Sequence, residues 1–188
     1  GEILIDIVTD SSIPTLFIEN KLLYPTQINL PNKGGKIDEF FVSEITKSHK
    51  NFPSMSLKLD NNEDPDITLL VYGGMAPLAI DSALSLFMEE EILVEIIIPS
   101  IIKPIPIEDI LPSSLKSGRI IIAEESIKTS GWGSELSSQL YENIFSNLKK
   151  PIMRIGAEDS PIPSSKFQEN KVLPQSKDIE LGIKELMR

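Results

Sequence analysis

The sequence contains no cysteine and only one histidine among its 188 residues. The lack of cysteine excludes a disulfide scaffold, a thiolate zinc site and a cysteine nucleophile, and it is compatible with a reducing cytoplasm. The histidine, His49, lies in a polar segment. A catalytic triad or a metal site would need further partners around it, so we interpret His49 as a solvated loop residue.

Long apolar runs and an excess of positive charge are also missing. No apolar run approaches the roughly 20 residues of a membrane-spanning helix, and Gly1–Ile7 carries acids instead of the basic start of a signal peptide. The net charge of -10 repels phosphate backbones but would suit a basic protein partner. We therefore expect a cytoplasmic protein that binds neither nucleic acid nor membranes. The start at glycine instead of methionine suggests a fragment of a longer protein.

From Asp66 onward, short apolar runs alternate with amphipathic segments. Uniformly apolar runs such as Ile67–Tyr72 are typical of strands that are buried on both faces. The pattern predicts strands at residues 67–72, 92–98, 119–123 and 152–155. It predicts helices at residues 76–88, 108–115, 134–148 and 176–187, the last with Ser176 as its N-cap. Such alternation predicts a mostly parallel sheet with helices on both faces.

The first 65 residues show a different pattern. Pro14–Tyr24 is predicted to be a strand and its exit, residues 29–36 a polar loop, and residues 40–48 a short helix. The acidic, proline-containing stretch Asn61–Asp66 is typical of a linker. We therefore predict a domain boundary near residues 60–65.

Several residues at predicted strand ends are candidates for chemistry. Gly73 and Gly74 could admit a phosphate to a helix N-terminus, but the spacing of a dinucleotide motif is missing, which favours a structural turn. Glu124 and Glu125 end the third strand, where they could bind a metal or act as acid and base. Trp132 is flanked by glycines, and the sequence leaves open whether it lies at an interface or packs internally.

The region from Asp66 to the C-terminus resembles the transketolase C-terminal-like domain. The resemblance rests on the order and separation of five segments, ITLLVYGGM (67–75), VEIIIPSIIKPI (94–105), IIIAEESIKTSGWGSE (120–135), MRIGAEDSPIP (153–163) and LPQSKDIELGI (173–183). Within that fold, the segments are most similar to the beta subunit of the decarboxylating component of 2-oxoacid dehydrogenase complexes, of pyruvate, branched-chain or acetoin type. The resemblance implies an α/β fold, a three-layer α/β/α sandwich on a five-stranded, mostly parallel sheet with one antiparallel strand.

The resemblance also divides the chain. Asp10–Tyr24 resembles the last strand and exit of the pyrimidine-binding domain that precedes this domain in the family. Residues 1–25 are therefore predicted to be a remnant of that domain, residues 26–65 a linker, and residues 66–188 the transketolase C-terminal-like domain. Glu19 would lie in the final strand, so it does not match the glutamate that activates the cofactor in the family.

The family performs oxidative decarboxylation with thiamine diphosphate and Mg²⁺ and passes an acyl group to a lipoyl arm. Its Gly-Asp-Gly motif is missing from this sequence, and neither its activating glutamate nor its catalytic histidines have a match. The resemblance therefore implies no catalytic, cofactor-binding or metal residue in this chain, which is predicted to be inactive alone and not to bind the cofactors of the full enzyme.

Assembly and docking are the roles that the resemblance leaves to this chain. The implied partners are an alpha subunit, a second beta subunit and the basic subunit-binding domain of the dihydrolipoyl acyltransferase. The predicted interface residues are Glu124, Glu125, Trp132, Glu158 and Asp159. Of these, Glu158 and Asp159, together with the C-terminal helix predicted at residues 176–187, are the positions that resemble the docking face for the acyltransferase.

The sequence leaves other functions open. The chain could be the C-terminal domain of a transketolase or of a deoxyxylulose-phosphate synthase-like enzyme. It could be an enzyme in its own right that uses Glu124 and Glu125 in a cleft. It could also be a free-standing α/β domain that binds a small molecule or nucleotide at Gly73 and Gly74.

Overall fold

The computed structural model describes residues 2–10, 14–25, 35–36, 41–46, 52–59 and 63–188. His49 lies outside these residues, as does most of the polar loop predicted at residues 29–36. Among the described residues, no helix combines the length and the apolar character that crossing a membrane requires.

One mixed sheet contains all the strands of the described residues. The strands are β1 (Gly35–Lys36), β2 (Phe41–Thr46), β3 (Ser54–Leu59), β4 (Ile67–Val71), β5 (Val94–Pro99), β6 (Ile120–Ile127) and β7 (Met153–Ala157). Their order across the sheet is β1-β2-β3-β5-β4-β6-β7. β4 pairs in parallel with β5 and β6, and β6 pairs in parallel with β7, whereas β3 runs antiparallel to β5. Five strands were expected and the sheet has seven. The four strands predicted after residue 66 form its parallel part, β5-β4-β6-β7, whereas β1, β2 and β3 come from the first 65 residues and pair antiparallel.

Helices cover both faces of this sheet. The α-helices of the described residues are α1 (Glu2–Asp10), α2 (Met75–Glu90), α3 (Ile107–Ser117), α4 (Trp132–Ile144), α5 (Lys166–Val172) and α6 (Ser176–Met187), of which α2, α3, α4 and α6 pack on the sheet. One buried apolar cluster contains side chains of α2 and α6, and a second cluster on the opposite face contains side chains of α3 and α4. The predicted three-layer α/β/α sandwich is therefore confirmed.

Strand β6 shows how a continuous apolar run builds both layers. Ile121 and Ala123 belong to the cluster beneath α2 and α6, whereas Ile120 and Ile122 belong to the cluster beneath α3 and α4. Successive side chains of a strand point to opposite faces, so a central strand that is covered on both sides is apolar at most positions. This is why uniformly apolar runs located the central strands correctly.

Two predictions for the first 65 residues are wrong. Residues 14–20 have no regular secondary structure, and Lys21–Leu23 form a 3-10 helix capped by Asn20, whose side chain accepts a hydrogen bond from the Leu22 N–H. Phe41–Thr46 forms β2 instead of the predicted helix, because all six residues pair with β3 and such tertiary pairing overrides local propensity. β2 and β3 lie inside the range predicted as linker, while the domain boundary itself stays a prediction.

Element boundaries also differ from those predicted after residue 66. β6 continues four residues beyond Ala123, after an irregularity in its pairing with β7, and resumes contact where Ile127 opposes Ala157. The short helix α5 was not predicted. Gln175, not Ser176, is the N-cap of α6, because the Gln175 N–H donates to the Asp178 carboxylate at 2.8 Å in a capping box.

Candidate functional site at the strand ends

Glu124 and Glu125 lie next to each other on β6 but contact helices on opposite faces of the sheet. Glu124 is 1% exposed and accepts a hydrogen bond from Gly133 of α4. Glu125 is exposed and lies beside Gly74, the N-cap of α2. The two carboxylates therefore do not converge, and the geometry does not support the acid and base pair that the sequence left open.

Three donors hold the Glu124 carboxylate. The Gly133 N–H donates to Oε1 at 3.1 Å, and Arg154 Nη2 donates to the same oxygen at 3.2 Å. Ser126 Oγ donates to Oε2 at 2.7 Å. The carboxylate also lies at the amino end of α4, where negative charge is favourable for the helix dipole. Glu124 is thus a buried and fully partnered structural residue.

Arg154 connects this carboxylate to the loop before α4. Its Nη2 group also donates to the Lys128 carbonyl oxygen, which accepts a second hydrogen bond from Ser134 Oγ at 2.9 Å. Ser134 lies in the first turn of α4. The Lys128 carbonyl oxygen, at the start of the loop, therefore binds the helix at the end of the loop as well as Arg154 of β7. The network therefore fixes the loop that leads into Trp132.

Glu125 supplies negative charge to the amino end of α2. That helix has no acidic residue in its first turn, and its N-cap, Gly74, has no capping side chain. A Cβ on Gly74 would lie 2.6 Å from Glu125 Oε1 and 2.7 Å from Asn20 Nδ2, so glycine permits this close approach. Gly73 adopts a left-handed conformation with φ of 55°. A carboxylate beside this turn opposes the binding of a phosphate, so the geometry supports the structural turn.

Trp132 joins the ends of three strands. Its ring packs edge-on against Tyr72, which follows β4, with ring centroids 5.1 Å apart. Its Nε1 group donates to the Ile102 carbonyl oxygen, in the loop after β5, at 3.2 Å. The indole is half-buried against the cluster beneath α3 and α4. It is therefore held in place by the chain itself, and its predicted role at an interface stays a prediction.

The remaining predicted residues lie elsewhere. Glu158 and Asp159 follow β7 and are exposed. The Glu158 N–H donates to the Val172 carbonyl oxygen at 3.0 Å. The part of the chain that the structure describes contains no group of three or more His, Cys, Asp or Glu residues arranged to hold a metal.

Sequence reasoning missed Arg154, Ser126 and Tyr72 as members of this site. For Arg154 a signal was present, because an arginine inside an apolar strand run requires a carboxylate partner when it is largely covered. Nothing comparable distinguished Ser126 or Tyr72, since hydroxyl groups are common at strand ends.

Tyr72 has a perturbed pKa. Burial raises the pKa of Tyr72 above its ordinary value of 10.0, the nearby negative charges of Glu124 and Glu125 raise it further, and a hydrogen bond with Ser126 acts in the opposite direction. Because the folded-state pKa exceeds that of the unfolded chain, the associated stability is present below pH 10.0 and is lost as pH rises through the folded pKa.

We therefore expect Tyr72 to ionise above pH 10.0 in the folded chain. The measurement is the phenolate absorbance of the parent minus that of Tyr72→Phe across an alkaline titration. The free energy of unfolding of Tyr72→Phe should fall less steeply above that pH than that of the parent. A difference titration centred at or below pH 10.0 would contradict the stated environment of the phenol.

The structure is thus a three-layer α/β domain. At the carboxyl ends of its central strands, the side chains of the domain contact one another. The family model described as Transketolase, C-terminal domain matches residues 57–179. The chain belongs to this family.

The most similar relatives include beta subunits of 2-oxoacid dehydrogenases. The pyruvate dehydrogenase E1 component subunit beta of Porphyra purpurea is 29% identical over 178 residues, which cover 93% of this chain and 47% of that protein. The corresponding subunit of Gracilaria tenuistipitata var. liui is 31% identical over 172 residues, covering 89% and 47%. The mitochondrial 2-oxoisovalerate dehydrogenase subunit beta of Dictyostelium discoideum is 27% identical over 150 residues, covering 80% and 36%. The chain spans about half the length, or less, of these relatives.

A solved structure agrees with the fold. A chain described as split gene transketolase, inactive beta4 tetramer, superposes with a TM-score of 0.57 at 23% identity, covering 66% of this chain and 39% of that one. The resemblance read from the sequence is therefore confirmed, since the chain matches the C-terminal domain of pyruvate and branched-chain 2-oxoacid dehydrogenase beta subunits.

Proposed function

We propose that this chain is the C-terminal domain of the beta subunit of a thiamine-diphosphate-dependent 2-oxoacid dehydrogenase, and that it serves subunit assembly and acyltransferase docking. The observation that carries the proposal is the alignment of 89 to 93% of the chain with pyruvate dehydrogenase beta subunits. The full enzyme would be a cytoplasmic oxidoreductase. Its alpha subunit and a second beta subunit would be the partners in assembly.

The residues of this chain do not fit thiamine diphosphate and Mg²⁺. The sequence has no Gly-Asp-Gly motif for the metal and diphosphate. The buried carboxylate of Glu124 is already paired with Arg154, and the Glu125 carboxylate lies at the helix end where a diphosphate would otherwise bind. We therefore place the cofactors in other parts of the full enzyme and derive no catalytic step from this chain.

The assembly role is supported by how the strand ends are held. Hydrogen bonds from Arg154 and Ser134 fix the loop before α4, and Trp132 is held against Tyr72. A half-buried, immobilised tryptophan loses little conformational entropy when a partner covers it, which is typical of interface anchors. We therefore propose Trp132 as a contact to a neighbouring subunit.

The docking role is supported by charge. Glu158 and Asp159 are exposed, and the chain as a whole carries a net charge of -10. The acyltransferase subunit-binding domain is basic in the family, so charge complementarity would accelerate its encounter with this surface and fix its orientation.

The test is calorimetric titration of the full chain with a recombinant acyltransferase subunit-binding domain. Reversing both charges, Glu158→Lys with Asp159→Lys, is expected to weaken the affinity about tenfold or more, because the partner's cations then meet like charges. Glu142→Lys, at an exposed position on α4, is the matched control and should change the affinity little. Equal affinities for the parent and the double variant would reject the docking assignment.

A further inference from the structure

Helix α1 lies on an apolar groove that it does not fill. Ile3 of α1 lines a cavity of about 170 Å³ together with Ile45 of β2, Met55 of β3 and Ile98 of β5. None of the α1 residues from Ile3 to Thr9 is fully buried. Protein interiors contain few voids larger than a water molecule, and so short a helix is marginal in water without packing. The contact between α1 and the α1 groove, which we define as Ile45, Met55 and Ile98, is therefore weak.

The segment that follows α1 is exposed along its described length. Residues 14–19 are all exposed, with Leu16 at 84% and Ile18 at 77%. The threonine, phenylalanine and isoleucine of this segment favour a strand, but no strand of the described residues pairs with it. Asn20, the next residue, lies beside Gly74 at the amino end of α2. A strand-type segment without a strand partner thus connects α1 to the rest of the domain.

Exposed apolar side chains are concentrated in this part of the chain. Leu4, Ile5 and Val8, on the outer side of α1, are 44%, 61% and 76% exposed. With three more side chains in residues 14–19, residues 2–19 carry six of the fifteen large apolar side chains that are exposed in the described residues. A concentration of exposed apolar side chains is typical of a surface that another molecule covers.

We propose that two copies of this chain exchange α1, so that the helix of each copy lies in the α1 groove of the other. The occupant is identified by the groove, because the groove already accepts α1 and the same helix from a second copy makes the same contacts. Exchange therefore sacrifices no contact that a single copy makes. The inference concerns self-association and does not depend on the proposed dehydrogenase function.

Exchange also gives the segment at residues 14–19 a partner. The segments of the two copies cross at the two-fold axis of the dimer, where two identical segments run antiparallel. Paired there as strands, they bury Leu16 and Ile18 and satisfy backbone groups of the segment. The single charge of the segment, Glu19, lies at its end, so pairing about the middle places it opposite Pro14 or Thr15 of the other copy. No like charges then oppose each other.

Sedimentation equilibrium of the full chain tests the association. The dimer fraction should rise with concentration from the micromolar to the millimolar range. The double variant Leu16→Ser plus Ile18→Ser should raise the dimer dissociation constant about tenfold or more, because it removes apolar side chains that the dimer buries. The matched control, Met88→Ser plus Leu181→Ser, removes side chains that are 66% and 56% exposed on α2 and α6, and it should leave the constant unchanged. A chain that stays monomeric throughout this range rejects the proposal, and so does a dimer that both double variants affect equally.

The lack of cysteine in the sequence allows exchange itself to be measured. An Ile3→Cys chain is mixed with an Ile98→Cys chain and oxidised, so a disulfide between the two kinds of chain joins α1 of one copy to the groove of the other. This mixed disulfide should form in several-fold excess over that from Val8→Cys with Ile98→Cys, since Val8 lies on the exposed side of α1. Equal yields, or a dimer without the mixed disulfide, mean that α1 stays on its own copy and overturn the proposal.

Discussion

Glu124→Ala is expected to lower the free energy of unfolding by about 3–5 kcal/mol, the usual cost of removing one partner of a buried ion pair. The change leaves the Arg154 guanidinium without its carboxylate, and it removes the acceptors of the Gly133 N–H and the Ser126 hydroxyl. Urea denaturation monitored by circular dichroism measures the loss, provided that the transition is two-state.

Glu125→Ala is the matched control, since it removes a carboxylate from the adjacent but exposed position. We expect it to cost only about 0.5–1 kcal/mol, the scale of a charge near a helix N-terminus. The double variant Glu124→Met plus Arg154→Met removes both charged partners. It should lose less free energy of unfolding than the sum of the losses of the two single variants, because no unpaired buried charge remains. Equal losses for Glu124→Ala and Glu125→Ala would contradict the structural role of the buried carboxylate.

Gly131→Ala is expected to destabilise the chain by about 2 kcal/mol, which lies within the range for overpacking in a closely packed region. A Cβ at this position would lie 2.5 Å from the Ile127 carbonyl oxygen and 2.7 and 2.8 Å from the two Glu124 carboxylate oxygens. The backbone carbonyl cannot rotate away, so the loop before α4 must shift. Chemical denaturation measures the loss, and the emission of Trp132 reports the shift.

A second glycine distinguishes lack of space from backbone conformation. Gly73 has φ of 55° and open space around its Cβ position, so Gly73→Ala should cost about 1–2 kcal/mol through backbone strain alone. Asparagine tolerates this conformation, so Gly73→Asn should cost less than Gly73→Ala. At Gly131, the N-cap of α4, where φ is an ordinary -69°, Val should cost more than Ala because it is larger and neither side chain caps the helix. The opposite ranking at Gly131 would show that space is not what requires glycine there.

The fold after residue 66 was predictable because its central strands are covered on both faces. Such strands are apolar at most positions, and they therefore stand out from the amphipathic helices between them. Phe41–Thr46 contains polar residues and lies outside the central strands, so its sequence did not distinguish a strand from a helix. Helix α5 was not predicted because none of its residues is buried. Its sequence therefore lacks the periodic apolar positions by which a packed helix is recognised.

The candidate site was predictable only as a set of residues. The sequence marked Glu124, Glu125 and Trp132, since acids and a glycine-flanked tryptophan after an apolar run are unusual. The structural role of each of these residues depends on contacts with residues that are distant in the sequence. Arg154 arrives from β7 and Tyr72 from the end of β4, and no local pattern predicts which of them faces Glu124.

The sequence by itself determined the α/β class, the central strands and the family. Strands that are buried on both faces are recognised by their apolar residues, and the family is recognised by the order and spacing of the five segments. Only the tertiary structure decided that Glu124 and Glu125 serve two different helices. Neighbouring residues on a strand point to opposite faces, and the helices that meet those faces are set by the topology of the whole sheet. The same topology covers Glu124 with Arg154 and leaves Glu158, Asp159 and Phe167 exposed to solvent.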